Sequence, residues 1–299
     1  MKFFSVKRYL RNRIHTTWMV ITLIIIILLP FILGTGLYIK STLLLQDHKL
    51  FELLTTSVWK PLAGKFGFLG FIISSLWVTF IALIIAGPIC LLSAIHLTQY
   101  ADKWVLKIMH PVIDILAGIP SVIFGVWGIL VIVPFISHYA GPFFGKEVSG
   151  YSILAGGIVL SIMIIPFVLN ILIEVFNTIP NELQEASLSL GASRWQTIKH
   201  VLVRKAFPGI ISAYGLGISR AFGETIAVLM VVGNVTKIPN GVFQPGYPLP
   251  ALIANNYGEM LSIPLYDSAL MLAALILFVI VLLFNLASRL AIIRSEKYN

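Results

Sequence analysis

Six stretches of this 299-residue chain are apolar for longer than twenty residues: 17–39, 67–97, 111–136, 151–175, 206–234 and 268–292. About 20 apolar residues in a helix cross the hydrocarbon core of a bilayer. That core offers no partner to an unpaired backbone N–H or C=O, so a chain built this way spans as helices. The predicted fold class is therefore all-α, a polytopic membrane protein with six transmembrane helices. The second and fifth runs exceed the minimum, which predicts tilt or an extra turn. Composition agrees: 58% of residues are hydrophobic and 11% charged, against roughly 25% charged in a soluble domain.

The net charge of +9 does not indicate nucleic acid. Its Lys and Arg residues cluster between apolar runs, and no soluble segment interleaves them with aromatics. With the N-terminus inside, 14 basic residues fall in inside segments, six in outside loops (Lys40, Lys49, Lys60, Lys65, Lys146, Lys237), and Arg220 lies within a span. This bias predicts that both termini are cytoplasmic. The first run comes after Lys2, Lys7, Arg8, Arg11 and Arg13. From Thr16 to Ile39 it is longer than a signal-peptide h-region, and it reads as a retained first span. Cys90 is the one cysteine, and the six histidines show no metal-ligand spacing. No metal or other cofactor is expected.

Two charges stand out. Arg220 and Glu224 are the charged residues between Ala206 and Asn234. A charge at bilayer depth costs roughly 2.5–3.5 kcal/mol on insertion scales, and such residues usually face a protein interior or an aqueous path. The i, i+4 spacing puts both on one face of a helix, where they partly neutralise each other. Arg presents a permanently charged planar donor fork suited to an oxyanion. Two readings stand at this point: a salt bridge that fixes helix packing, or a substrate path. Gly215, Ser219, Gly223 and Ala227 form a stripe of small residues beside the pair, which favours close helix approach. Gly118-Ile119-Pro120 predicts a kink or break in the third run.

Residues 176–205 are the longest inside segment between spans and read as two short helices. Pro180 suits a first helical position, and Glu182 and Glu185 favour the positive end of the dipole. Gly191 can end this helix in the left-handed region. Ser193-Arg194-Trp195-Gln196 matches a capping box. Pro208-Gly209 then marks the return to the membrane.

In Glu185-Ala186-Ser187, followed after three residues by Gly191, this loop resembles the EAA loop of ABC importer membrane permeases. Ser187 replaces the second alanine, and Arg204 stands where the family usually has a proline. Gly118 to Gly128, and Arg220-Ala221-Phe222-Gly223-Glu224-Thr225 continuing to Gly233-Asn234, are similar to phosphate-specific permeases, more to the PstC type than to PstA. The resemblance covers roughly 66–294. It implies a type I ABC importer permease fold. In this reading 1–66 is a cytoplasmic tail, first transmembrane helix and outside loop. Residues 67–294 form the permease domain, with a coupling loop at 176–205, and 295–299 are a cytoplasmic tail.

The resemblance also implies a prokaryotic inner-membrane location and function: half the translocation path of an ATP-driven phosphate importer. Arg220 and Glu224 would line that path, and Glu185, Ala186 and Gly191 would couple it to a separate ATPase. The implied partners are a PstA-like permease, two PstB-like ATP-binding subunits and a PstS-like extracytoplasmic phosphate-binding protein, within the lipid bilayer. No GxxxxGK[ST] loop is present to cradle ATP. The chain is therefore expected to be a non-catalytic subunit, with hydrolysis on a partner. The outside segment 235–267, rich in Pro, Gly and Asn, is the expected contact for the binding protein. Rival functions are a sulfate or molybdate permease, an ATP-independent anion channel, and an intramembrane enzyme.

Overall fold

The computed structural model describes residues 2–258 and 263–296, with side chains described for 12–102, 104–258 and 263–294. Residues 259–262 of the segment 235–267 and the tail 297–299 lie outside these. So do the side chains of Lys2, Lys7, Arg8, Arg11 and Lys103. The chain forms helices α1 (Lys2–Asp47), α2 (Leu50–Thr55), α3 (Leu69–Gln99), α4 (Lys103–Gly118) and α5 (Ser121–Phe143). They are followed by α6 (Ile153–Asn177), α7 (Asn181–Ser189), α8 (Arg194–Phe222), α9 (Ile226–Val231), α10 (Leu249–Asn256) and α11 (Pro264–Glu296). Among the described residues there is no β-strand, only two isolated bridge pairs. Among the described residues six helices are long and apolar enough to cross a membrane: α1, α3, α5, α6, α8 and α11.

The main core lies where α3 packs along α6. Val78, Ala82, Ala86 and Cys90 of α3 meet Ala155, Val159, Leu160 and Ile164 of α6, all buried. Gly157 makes the approach possible, because a Cβ there would come within 2.7 Å of Ile81 Cβ. α8 and α5 close around this pair. A second cluster joins segments from the two ends of the chain: Leu44, Leu53, Phe66, Phe68 and Phe71 pack with Tyr247, Leu249, Leu252 and Tyr266. Trp59 lies edge-on to Phe66, Phe68, Phe71 and Tyr266 at 5.0–5.9 Å. The segment 235–267 is thus not a plain loop. Its α10 folds back among the spans, and the Ser74 and Ser75 hydroxyls accept the amides of Tyr247 and Leu249 at 3.1 and 2.8 Å.

The third run breaks where a kink or break is expected: α4 stops at Gly118, Ile119 and Pro120 are extended (ψ 128° and 139°), and the span is α5. The residue before a proline is driven out of the α region, which makes a break cheaper than a bend. Two other expectations are corrected. The second short helix of the loop 176–205 is not separate. It runs through a π turn at Ile198–Leu202 into α8, with Pro208 inside the helix. Local π adjustment lets a membrane helix absorb a proline, and Gly209 brings α8 against Val175 of α6. The fifth run, in turn, is broken: α8 ends at Phe222 and α9 begins at Ile226.

Candidate functional site: a charged helix break and a helical hairpin

Arg220 occupies the last turn of α8, and Glu224 lies in the break beyond it. The two therefore do not share a continuous helical face. Among the described residues no ion pair joins them. The Arg220 guanidinium lies over the Phe167 ring of α6, 4.7 Å from its centroid, and the residue is exposed. This distance is within cation–π range, an interaction worth about 0.5–1 kcal/mol at an exposed site. Glu224 is half-buried, and its Oε1 accepts the Ala227 amide at 3.2 Å. A carboxylate that accepts an amide at the N-terminal end of α9 is favourable with the helix dipole. Each charge thus has its own support, and among the described residues the Arg220 fork forms no ion pair with a carboxylate.

The small-residue stripe divides at the same break. Gly215 is buried against Ser288 of α11, and the Ser219 hydroxyl donates to Asn285 Oδ1 at 3.0 Å. Ala227 meets α5, where a Cβ on Gly125 would stand 3.2 Å from its Cα. A second pair, Gly209 and Gly217, faces α6: a Cβ on Gly217 would approach Val168 to 2.6 Å. Sequence reading missed this pair, although its eight-residue spacing on one helix face was a usable signal. It also missed Phe167, since nothing marks one phenylalanine in an apolar helix as a cation partner. The Asn170–Asp114 hydrogen bond, 3.1 Å between α6 and α4, was missed as well. Both partners are polar residues in apolar runs, but the pairing is set by packing.

A groove of about 660 Å³ runs between α3, α8 and α11, lined by Trp77, Phe80, Ile218, Phe222 and Phe284. It is almost wholly apolar, which suits a hydrocarbon chain and would leave an oxyanion unsolvated. Among the described residues no three His, Cys, Asp or Glu side chains gather as a metal site would require.

The hairpin of α7 and the start of α8 matches its sequence signals closely. Pro180 is the N-cap of α7, one position earlier than expected. Gly191 has φ +85°, with its amide on Leu188 O at 2.9 Å and the Ala192 amide on Ser187 O at 3.3 Å. These are the two hydrogen bonds of a Schellman ending. The capping box is complete: Ser193 Oγ accepts the Gln196 amide at 3.3 Å, and Gln196 Oε1 accepts the Ser193 amide at 2.8 Å. Glu185, Ala186 and Gly191 are all exposed, and Leu190 presents 90% of its surface to solvent.

The family described as "Binding-protein-dependent transport system inner membrane component" matches residues 86–292. The chain is 41% identical over 240 residues to the probable ABC transporter permease protein YqgH of Bacillus subtilis, covering 80% of this chain and 76% of that one. It is 34% identical over 304 residues to the probable phosphate transport system permease protein PstC of Methanocaldococcus jannaschii, covering 96% and 95%. An inward-facing structure of the MetNI methionine ABC transporter superposes with a TM-score of 0.56 at 19% identity, over 80% of this chain and 99% of that one. This likeness gives the fold: a type I ABC importer permease.

Proposed function

The chain belongs to the binding-protein-dependent transport system inner membrane components, and on that premise we propose that it is the permease subunit of an ATP-driven phosphate importer. It is a multi-pass inner-membrane subunit of an ABC importer. The finer reading, phosphate as cargo, rests on the Arg220 fork: a permanent cation at a helix break between two apolar segments, held on a ring rather than by a carboxylate. The PstC name of several relatives supports the same cargo.

Arg220 binds the oxyanion through paired donors, and Glu224 reads its protonation state. A carboxylate can accept a hydrogen bond from protonated phosphate, whereas sulfate carries no proton near neutral pH. The inside hairpin carries Glu185, Ala186 and Gly191, all exposed, to a separate ATPase. A second, PstA-like permease completes the path. Two PstB-like ATPases act inside, and a PstS-like binding protein delivers from outside onto the segment 235–267. Hydrolysis belongs to the ATPases, and both termini are cytoplasmic.

The test is uptake of labelled phosphate into proteoliposomes holding this chain with the permease, ATPase and binding protein encoded beside it. The expected result is ATP-dependent uptake unaffected by excess sulfate or molybdate. Competition by sulfate would reassign the cargo, and uptake without ATP would make the chain a channel.

A further inference from the structure

The hairpin between α7 and α8 holds a polar contact that its two end motifs do not require. The Ser187 hydroxyl meets the Thr197 hydroxyl at 2.9 Å, across ten residues and between two helices. Ser187 lies one residue after Ala186 on α7, and Thr197 is 1% exposed. Beside them Ile198 and Leu202 are buried at 2% each, in the π turn against which α7 leans. A Schellman ending and a capping box each fix one helix end. Neither fixes the angle between the two helices, because Gly191 and Ala192 sit between them. A hydroxyl pair with its Thr197 end buried does fix it, since separating the helices would leave the Thr197 hydroxyl without this partner.

The helix that carries Thr197 has an equally specific course. From Arg194 to Phe222 α8 is continuous over 29 residues, a length of about 43 Å. It ends two residues after Arg220. Along the way it is held against α6 by close contacts at Gly209 and Gly217. The chain therefore provides one helix with the hairpin at its start and the charged break at its end.

We propose that the Ser187–Thr197 pair is the positioning contact that makes α7 and α8 one rigid lever, so that displacement of α7 reaches Arg220. This rests on the coupling role proposed above for the hairpin. Without the pair, α7 swings on Gly191, and ATP hydrolysis proceeds while the break at Gly223 stays still. The position also explains the local departure from the family pattern: serine in place of the second alanine supplies the hydroxyl that Thr197 meets.

The experiment uses the complete reconstituted complex and reads phosphate imported per ATP hydrolysed. Thr197→Val keeps the shape and removes the hydroxyl, and should lower that ratio at least threefold while the ATPase still co-purifies. Thr197→Ser keeps a hydroxyl and should preserve the ratio. Ser187→Ala should match Thr197→Val, and the double variant should be no worse than either single one, as for two members of a single contact. An unchanged ratio in both single variants overturns the proposal. So does loss of ATPase from the Thr197→Val complex, which would assign the pair to docking. Gly191→Val separates the levels. If it uncouples the complex while the hydroxyl variants do not, only the lever is wrong. If none of them alters coupling, the hairpin's role falls as well.

Discussion

At the scale of residues, the separation of Arg220 from Glu224 changes what substitutions should do. A salt bridge would make the two charges rescue each other. Here Arg220 rests on Phe167 and Glu224 caps α9. Glu224→Gln keeps an oxygen for the Ala227 amide, so it removes the charge and leaves the cap. Arg220→Ala combined with Glu224→Gln should therefore show a coupling energy for assembly below about 0.5 kcal/mol, the additive range. The doubly neutral complex should assemble and carry no phosphate; full uptake would exclude a direct role for Arg220. Arg220→Lys keeps the charge and loses the planar fork, and should lower uptake in a fully assembled complex. Phe167→Leu removes the ring under the guanidinium. The expected loss is roughly two- to five-fold in uptake, matching about 0.5–1 kcal/mol of cation–π interaction, with the purified complex intact by size-exclusion chromatography.

At the scale of elements, breaks carry more of the architecture than the helices themselves. Gly118-Ile119-Pro120 separates α4 from α5, and Gly223-Glu224-Thr225 separates α8 from α9. Gly191 is the sharpest case. It sits at φ +85°, and a Cβ there would meet nothing within 4 Å. Space is thus not the constraint; backbone conformation is. Gly191→Val should cost about 1–3 kcal/mol locally and weaken ATPase association or coupled uptake, with membrane insertion unchanged. Gly191→Asn should be nearly silent, because asparagine tolerates the left-handed region. Equal effects of the two variants in a co-purification assay would show that bulk, not φ, governs this turn.

At the scale of the whole molecule, the six spans fix a topology whose orientation rests on charge. The prediction is an even-span arrangement with the hairpin and both termini inside. A cysteine at 196, in a chain whose buried Cys90 is replaced by alanine, should resist an impermeant thiol reagent in sealed cells and react after permeabilisation. Ready labelling in sealed cells would invert the topology and remove the hairpin from the ATPase side. The N-terminal span is a separate matter. Residues 1–85 precede the family match, and α1 is unburied over its most apolar stretch, packing mainly on α11, with Gly34 against Phe278. Such a helix needs lipid or another subunit around it, consistent with a bilayer rather than an aqueous setting.

Hydrophobic run length determined the all-α class and the number of spans, because a bilayer admits few alternatives to a saturated helix. Local chemistry determined the hairpin: Gly191, Ser193 and Gln196 act through hydrogen bonds within six residues, so their signals are complete in the sequence. Tertiary structure decided the rest. That 206–234 is two helices and not one shows only in the fold, where α3, α6 and the folded-back α10 line the cavity beside Glu224. Periodicity places Arg220 and Glu224 on a shared face only while the helix continues. The partners of Arg220, Ser187 and the Ser74–Ser75 pair come from other elements, and contacts between distant segments are set by three-dimensional packing, which no local pattern encodes.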